Sequence, residues 1–123
     1  MSFDANWARS AKWLKRALSL AGDTHNLDDV RRLIEAGDAQ FWPGERSALV
    51  TYMLHNPRAP ELVLWLGGGE LTELRDLLVP MAEAWGEQRG AVRSLIIGRA
   101  GWARAFAKNG YRQIATVTAK ELQ

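Results

Sequence analysis

The sequence ELVLWLGGGE, residues 61–70, decides how this chain folds. Its first six residues are mostly apolar and rich in β-formers, which predicts a buried strand, and the triple glycine that follows predicts a turn. Apolar residues then recur at helical spacing over residues 70–85, and a second apolar run at residues 91–97 predicts another strand. Two strands joined by a helix of this length most simply form a right-handed parallel crossover.

The glycine turn has two interpretations. Glycine-rich turns that lead into a helix often hold a phosphate, because the first N–H groups of a helix lack backbone partners and glycine lets the phosphate come close. Gly67, Gly68 and Gly69, followed by Leu71 in the first helical turn, are therefore candidate residues for binding a phosphorylated cofactor. In the other interpretation the glycines only begin the helix, and Glu70 interacts favourably with the helix dipole.

The flanking sequence predicts one α/β domain with the element order α-α-β-β-β-α-β-α-β, in which helices flank a mixed sheet. An amphipathic helix at residues 6–20 comes first, and Asn26 caps the second helix. Short turns join three extended segments, which predicts an antiparallel meander; the segments lie at residues 40–42, 47–55 and 61–66.

The second half of the chain adds one irregular helix and one further strand. Pro80 lies inside the long helix and should kink or split it near Asp76, because proline removes one hydrogen bond and crowds that carbonyl. After the second parallel strand, a short helix ends at Gly110, and apolar residues alternate with threonines in a final strand predicted at residues 111–119. We expect a cleft where the two parallel strands diverge.

Length and composition exclude several classes of protein. At 123 residues the chain is one domain, with a basic N-terminal helix at residues 1–22 and a core at residues 27–123. No apolar run reaches the roughly 18 residues that span a bilayer. The chain has no cysteine, hence no disulfide, thiol nucleophile or zinc–thiolate site, and we expect no metal site. His25 and His55 stand alone in turn-like sequence, which predicts that both are exposed.

A candidate partner surface combines basic residues with tryptophans. The first helix carries its positive charges opposite its apolar stripe, and two of the tryptophans border turns, where exposed tryptophans often centre interfaces. The candidate partner-binding residues are Trp7, Arg9, Lys12, Lys15, Arg16, Trp42 and Trp102. In the other interpretation the helix packs on the sheet, its charges form a solvated surface, and most of the tryptophans lie in the core.

The element order, together with KNGY at residues 108–111, resembles the GNAT superfamily of acetyl-CoA-dependent N-acetyltransferases. The resemblance extends from Leu27 onward. The stretches FWPGERSA (41–48) and GRAGW (98–102) are similar to a narrower group, the small GNAT-like proteins of tailed bacteriophages and prophages. Because one fold hosts many functions, the site has to be argued separately from the fold.

The resemblance implies acetyl-CoA as the cofactor, with its pyrophosphate held by backbone amides of residues 66–71, but this sequence departs from the family pattern in three places. The motif spacing of the loop is lost, and Glu70 places a negative charge where the pyrophosphate would lie. Phe106, which has no proton to donate, takes the position of the tyrosine that protonates the departing thiolate. Arg99 stands where the family commonly has asparagine.

The favoured hypothesis is therefore a phage-type GNAT-like protein that lacks efficient catalysis and a cofactor and acts as a structural or interaction component of the virion or of its assembly. Its partners would be other virion or assembly proteins, or further copies of itself, and it would reside in the virion or the host bacterial cytoplasm. General-base candidates are few, because Glu61 begins its strand and Glu45 lies in a turn. The competing hypotheses are an active acetyl-CoA-dependent N-acetyltransferase and a nucleic-acid-binding accessory protein.

Overall fold

The computed structural model describes residues 2–98 and 101–123. The helices and strands are α1 (Phe3–Leu20), α2 (Leu27–Glu35), β1 (Gln40–Pro43), β2 (Ser47–Leu54), β3 (Glu61–Gly69), α3 (Leu71–Glu73), α4 (Val79–Gln88), β4 (Arg93–Ile96) and α5 (Gly101–Ala105). One turn of π-helix, Leu74–Leu78, joins α3 to α4, and a 3-10 turn, Ala107–Asn109, follows α5. Within the described ranges, no helix combines the length and apolar character that crossing a membrane requires.

The sheet confirms the predicted meander and crossover. Its strand order is β1-β2-β3-β4, with antiparallel pairing between the first three strands and parallel pairing between β3 and β4. The parallel register runs from Glu61 opposite Arg93 to Leu64 opposite Ile96. Beyond Leu64, β3 continues in contact with β2 alone, so the two parallel strands diverge from this point.

A β-bulge lies where this divergence begins. Val50 and Thr51 of β2 are consecutive, but their partners in β3 are Leu66 and Leu64, which leaves Trp65 as the extra residue. A bulged strand bends and twists more strongly than a regular one. The bulge also shifts the alternation of side chains, since Leu64 packs on the face covered by α4 whereas Leu66 packs on the face covered by α1.

The glycines do not form the turn that the sequence predicts, because Gly67, Gly68 and Gly69 are the last three residues of β3. They pair with Leu49, Ala48 and Ser47 of β2, so the strand ends at residue 69 rather than at residue 66. Glycine is disfavoured inside strands unless another group approaches the backbone closely. The predicted turn was therefore wrong, and the helix begins only after Glu70.

Pro80 interrupts the long helix as expected, and the structure shows how. The π-helical turn at Leu74–Leu78 places one extra residue before the proline, and the Val79 N–H bonds to the Leu74 carbonyl five residues earlier. Pro80 then occupies the first turn of α4, where its missing N–H costs nothing. Asp76, near which the interruption was predicted, lies inside this π-helical turn.

Each face of the sheet carries its own hydrophobic cluster. On one face α1 and α2 bury Trp7, Leu14, Leu18 and Val30 against the sheet, so α1 packs on the fold. On the other face α4 and α5 cover a second cluster, which includes the fully buried Phe106. The predicted cap of α2 is confirmed, because Asn26 and Asp29 hydrogen-bond reciprocally to each other's backbone N–H.

The C-terminal segment differs from the prediction. Residues 111–123 belong to no strand, although the alternation at residues 111–119 predicted one. Ile114, Val117 and Leu122 are 51%, 81% and 87% exposed, respectively. A strand exists only when its backbone groups pair with a neighbour, and this segment pairs with none of the described strands. The segment therefore has the composition of a strand but forms none within the single chain.

Candidate functional site: a cleft between the diverging strands

A cavity of about 680 Å³ opens where β3 and β4 separate, as the sequence predicted. Its walls come from the second half of α1, the glycine end of β3, the end of β4 and α5. Trp13, Leu64, Ile96, Trp102 and Phe106 give it an apolar surface. Small-molecule sites in proteins typically have volumes of about 300–1,000 Å³, so a ligand of that class would fit.

Arg16 is the one charged side chain among the described residues that line the cavity. It lies on α1 with Trp13 and Ala17, which form the same wall. The sequence placed Arg16 on a surface for macromolecular partners, yet the fold directs it to the cleft beside the glycine end of β3. A guanidinium in this position favours an anionic ligand, because it presents several N–H donors together with a positive charge.

Other residues pack closely against the three glycines, at the positions where side chains would otherwise lie. A Cβ atom on Gly67 would lie 3.3 Å from a methyl group of Leu74, and one on Gly68 would lie 3.0 Å from the Cβ of Trp13. Gly69 has a φ of +97°, which residues with a side chain rarely adopt, and its backbone packs against Ser47. Close packing thus accounts for all three glycines, although their backbone still lines the cleft.

Glu70 does not place its charge in the cleft. Its carboxylate accepts a hydrogen bond of 2.7 Å from Arg46 Nε, and its backbone N–H donates to the Arg46 carbonyl at 2.8 Å. Neither Glu70 nor Leu71 lines the cavity. Arg46 therefore pairs with the negative charge of Glu70, and its carbonyl already occupies the backbone N–H of Glu70 at the helix start.

A buried carboxylate holds the helix start against the β1–β2 turn. Glu73 accepts hydrogen bonds from the Ser47 hydroxyl and from the Arg46 N–H, the latter at 3.0 Å. The Arg46 guanidinium lies 3.7 Å from the same carboxylate. Burial alone would raise the pKa of the Glu73 carboxyl, but these hydrogen bonds and the nearby guanidinium lower it below the ordinary value of 4.5. Glu73 is thus ionised and structural.

Helix α1 also contacts the β1–β2 turn. Arg9 Nε donates to the Gly44 carbonyl at 3.0 Å, and Arg9 Nη2 donates to Asn6 at 2.9 Å. A Cβ atom on Gly44 would fall on the Glu73 carboxylate, so any other residue there would displace that carboxylate. Sequence reasoning assigned Arg9 to a partner surface and missed Glu73, since its partner Ser47 lies 26 residues away and no local spacing links them.

The described lining of the cleft offers no group that exchanges protons at neutral pH. Phe106 does line the cleft, and its ring centroid lies 5.6 Å from those of both Trp102 and Tyr111. Tyr111 is outside the lining; its hydroxyl donates to Glu83 at 2.6 Å and accepts from Ser94 at 2.7 Å. Burial, and then the Glu83 carboxylate, raise the pKa of the Tyr111 phenol well above its usual value.

The two general-base candidates lie elsewhere. Glu61 is buried and accepts hydrogen bonds from Arg93 at 2.6 Å and Asn56 at 2.8 Å, which joins β3 to β4 and to the preceding turn. Glu45 is exposed beside Arg46 and, like Glu61, does not line the cavity. Over the described part of the chain, no cluster of three potential metal ligands occurs.

The remaining candidate partner residues lie in different parts of the structure. Trp7 is buried against Phe41, and the Trp42 indole donates to Thr51 at 3.0 Å while packing on Trp85. Trp102 lies in the cavity wall, whereas Lys12 and Lys15 are exposed. Binding of a partner by these residues stays a prediction, and Arg99 lies outside the described residues.

The two histidines differ in exposure. His55 is exposed as expected. His25 is half-buried instead, because its ring packs edge-on against Trp65, with 4.9 Å between the ring centroids. The aromatic partner is 40 positions along the chain, so the sequence around His25 gave no sign of it.

Comparison with known proteins supports this architecture. No family model and no curated protein matches the sequence. The solved structure of TTHA1254 from Thermus thermophilus is similar, with a TM-score of 0.59 and 16% identity over 92% of each chain. An acetyltransferase from Trypanosoma brucei gives a TM-score of 0.60 and 10% identity over 92% of this chain and 95% of that one. The chain therefore has a GNAT-like fold, and at these identities the likeness concerns the fold alone.

Proposed function

We propose that this chain is a phage-type GNAT-like protein that does not transfer acetyl groups efficiently and serves as an interaction component of a virion or of its assembly. It would then act in the virion or in the host bacterial cytoplasm, bound to other assembly proteins. The observation that carries the proposal is the lining of the cleft. Among its described residues none exchanges protons at neutral pH, and Phe106, which the resemblance aligns with the family's proton donor, lies in the wall.

The absence of a proton donor from the described lining should lower the rate of acetyl transfer. General acid–base catalysis typically contributes about 10²–10⁴-fold to a rate, so a cleft without it would leave transfer slow even when the ligand is bound. The packing of Trp13 over Gly68 and of Leu74 over Gly67 supports the same conclusion, because it gives the glycines a structural purpose. The exposed lysines of α1, Lys12 and Lys15, remain available to an acidic protein partner.

Two measurements test the catalytic side of the proposal, and co-sedimentation tests its structural side. Titration calorimetry with acetyl-CoA and with CoA measures binding, and mass spectrometry of a mixed amine and peptide library incubated with acetyl-CoA measures transfer. We expect no transfer above the uncatalysed rate. Turnover at one per second or faster, a rate at the low end of ordinary enzymes, would contradict the proposal. So would a protein that never co-sediments with phage particles or their assembly intermediates.

A second candidate function is acetyl-CoA-dependent N-acetylation, and the open cleft favours it. The cavity has the volume of a ligand site, and Arg16 could pair with a phosphate beside the backbone of Gly67–Gly69. Bound acetyl-CoA would supply an activated thioester, and the apolar wall of Trp102 and Phe106 would exclude water from it. The acceptor amine would then have to release its proton without help from a described side chain.

Arg16→Gln tests this second candidate with Lys15→Gln as the matched control. Both residues are exposed cations on α1, but only Arg16 lines the cavity. If a phosphate binds here, Arg16→Gln should weaken acetyl-CoA binding about tenfold, the loss expected for one charge-assisted hydrogen bond. Equal effects of the two substitutions would count against the site. Gly68→Val is unsuitable as a test, because its side chain would displace Trp13.

A further inference from the structure

Beyond Leu64, the edge of β3 that faces the cleft has no partner strand among the described residues. Its parallel pairing with β4 ends at Leu64 and Ile96, but β3 continues to Gly69 in contact with β2 on its other side. An unpaired strand edge presents a row of N–H and C=O groups, which can pair with another extended chain. One wall of the cavity is therefore an open edge of the sheet.

The ladder between β2 and β3 determines which backbone groups point to the cleft. The Glu70 N–H bonds to the Arg46 carbonyl, so these two residues form a hydrogen-bonded pair at the end of the ladder. In an antiparallel ladder, such pairs alternate with pairs whose N–H and C=O groups point away from the partner strand. The register therefore directs the backbone groups of Gly67 and Gly69 away from β2. Both of these residues line the cavity.

The two outward-facing glycines determine which ligands fit this wall. A buried backbone N–H or C=O group without a hydrogen-bond partner is costly, so a ligand that displaces water from the wall has to supply both a donor and an acceptor. An extended peptide carries both. Residues 65–69 continue β3 beyond its last pair with β4, and at about 3.3 Å per residue they cover about 17 Å, so a peptide of about five residues matches them.

The other walls of the cavity fit the end of such a peptide. Leu49, Leu74 and Val79 are buried apolar residues of the lining, and together they offer a surface for an apolar side chain. Arg16 and Leu20 of α1 also line the cavity but are exposed, which places both at its mouth. A guanidinium binds a carboxylate through two parallel charge-assisted hydrogen bonds. An apolar last residue with a free carboxylate therefore matches both the lining and the mouth.

We propose that the cleft binds the C-terminal end of an extended peptide that belongs to a protein partner and has an apolar last residue. The peptide backbone adds to the edge of β3 as a further strand, its last side chain enters the apolar part of the cavity, and its carboxylate pairs with Arg16. This inference rests on the proposed role of the chain as an interaction component, and it names the part of the partner that is bound. Strand addition to an open sheet edge is a common mode of peptide recognition.

The charge of the cavity favours a carboxylate over a diphosphate. One guanidinium balances a single negative charge, whereas a diphosphate carries at least two, and the described lining has no second cation. The Glu70 N–H at the start of the helix already bonds to Arg46, so it is not open to a phosphate. A fatty acid would satisfy Arg16 and the apolar walls but would leave Gly67 and Gly69 without partners. A peptide end satisfies all three features.

Short labelled peptides test the role of the carboxylate. The probes are fluorescein-labelled pentapeptides, Thr-Val-Thr-Val followed by leucine or phenylalanine, each made as the free acid and as the C-terminal amide. Fluorescence polarisation should show that each acid binds at least tenfold more tightly than its amide, because the amide lacks the charge that pairs with a guanidinium. Arg16→Gln should abolish this preference, whereas Lys15→Gln, an exposed cation outside the lining, should preserve it. Failure of both acids to bind at about 1 mM, or an acid preference that survives Arg16→Gln, would overturn the proposal.

Methylation of single backbone nitrogens in the leucine probe tests strand addition. Alternate N–H groups of a strand face the same neighbour, so methylation at alternate positions should weaken binding at least fivefold, and methylation at the intervening positions should have little effect. Equal effects at all positions would rule out pairing with β3. Decanoate that binds as tightly as the leucine acid would rule it out as well, since decanoate has a carboxylate and an apolar chain but no amide.

Leu20→Glu separates this inference from the proposed function. The substitution places a negative charge at the mouth of the cavity, so it should weaken binding of the leucine acid about tenfold and remove the chain from phage particles. Leu77→Glu is the matched control, because Leu20 and Leu77 are 53% and 52% exposed but only Leu20 lines the cavity. If the Leu20→Glu chain still co-sediments with particles, the partner binds elsewhere and the inference fails while the proposed function stands. A wild-type chain that never co-sediments contradicts the proposed function itself.

Discussion

The hydroxyl of Ser47 donates a hydrogen bond to the buried carboxylate of Glu73, and this contact joins the β1–β2 turn to the start of the long helix. The Arg46 N–H donates to the same carboxylate, and Arg9 of α1 reaches the turn through the Gly44 carbonyl. The β1–β2 turn is thus joined both to the helix start and to α1. Gly69, at the end of β3, pairs with Ser47 of the same network.

Ser47→Ala should lower the free energy of unfolding by about 2 kcal/mol, because it leaves a buried charged acceptor short of a donor. Urea denaturation measures the loss. A double-mutant cycle with Glu73→Gln separates the contact from other effects, since the two changes should be less than additive. Strict additivity would show that the hydrogen bond does not stabilise the fold.

Gly44→Ala should destabilise the protein by about 3 kcal/mol, at the upper end of the cost of overpacking a buried site. The added methyl group would displace the Glu73 carboxylate from Ser47. Gly101→Ala is the matched control, because a Cβ atom there meets nothing within 4 Å. Thermal unfolding of both variants checks the prediction, and similar melting temperatures for the two would contradict it.

The stability of the fold should fall as the pH drops through the ordinary glutamate value of 4.5, because Glu73 has a lowered pKa in the folded state. The unfolded chain takes up the proton first, so acid favours unfolding, and the contribution is fully present only above that pH. In Glu73→Gln the slope of stability against pH between 3 and 5 should be shallower. Equal slopes for Glu73→Gln and the unchanged protein would contradict this prediction.

Ser10→Ala should stabilise the protein by about 1 kcal/mol, since a buried hydroxyl without a partner costs about 1–3 kcal/mol. Ser10 is fully buried on α1, and its hydroxyl has no hydrogen-bond partner among the described residues. Alanine also has the higher helix propensity. Ser19→Ala, on the exposed side of α1, measures the propensity effect alone, and an equal gain there would show that the buried hydroxyl costs nothing.

Tyr111→Phe should lower stability by about 1.5 kcal/mol, because the variant loses the bonds of a partly buried hydroxyl to Glu83 and Ser94. It should also loosen the start of the C-terminal segment, so limited proteolysis after Arg112 should speed up. The substitution keeps the ring that packs on Phe106. Unchanged proteolysis would mean that the hydroxyl does not anchor the segment.

Much of the fold could be predicted from local pattern. Apolar runs located β2, β3 and β4, the parallel crossover followed from the helix between the last two, and Pro80 marked the π-helical turn. These features depend on residues close together in the chain. The class of fold followed from their order.

The predictions that failed have one physical cause, because each feature depends on contacts between residues that are far apart in the chain. Gly68 belongs to a strand because it pairs with Ala48 of β2, with Trp13 packed against it, and the buried Glu73 carboxylate is bound by Ser47 and Arg46. The segment at residues 111–119 has the composition of a strand but pairs with none of the described strands. No local periodicity encodes such partners, so the cleft and its glycines could be located from sequence, while the wall that α1 contributes could not.

The extra residue in β3, Trp65, lies at the bulge and lines the cleft. If Trp65 were deleted, Leu64 and Leu66 would face consecutive residues of β2, and every later side chain would keep its present face. The strand would then lose the bend that carries its glycine end away from β4. The volume of the cleft therefore depends on one residue whose own side chain is only part of its wall.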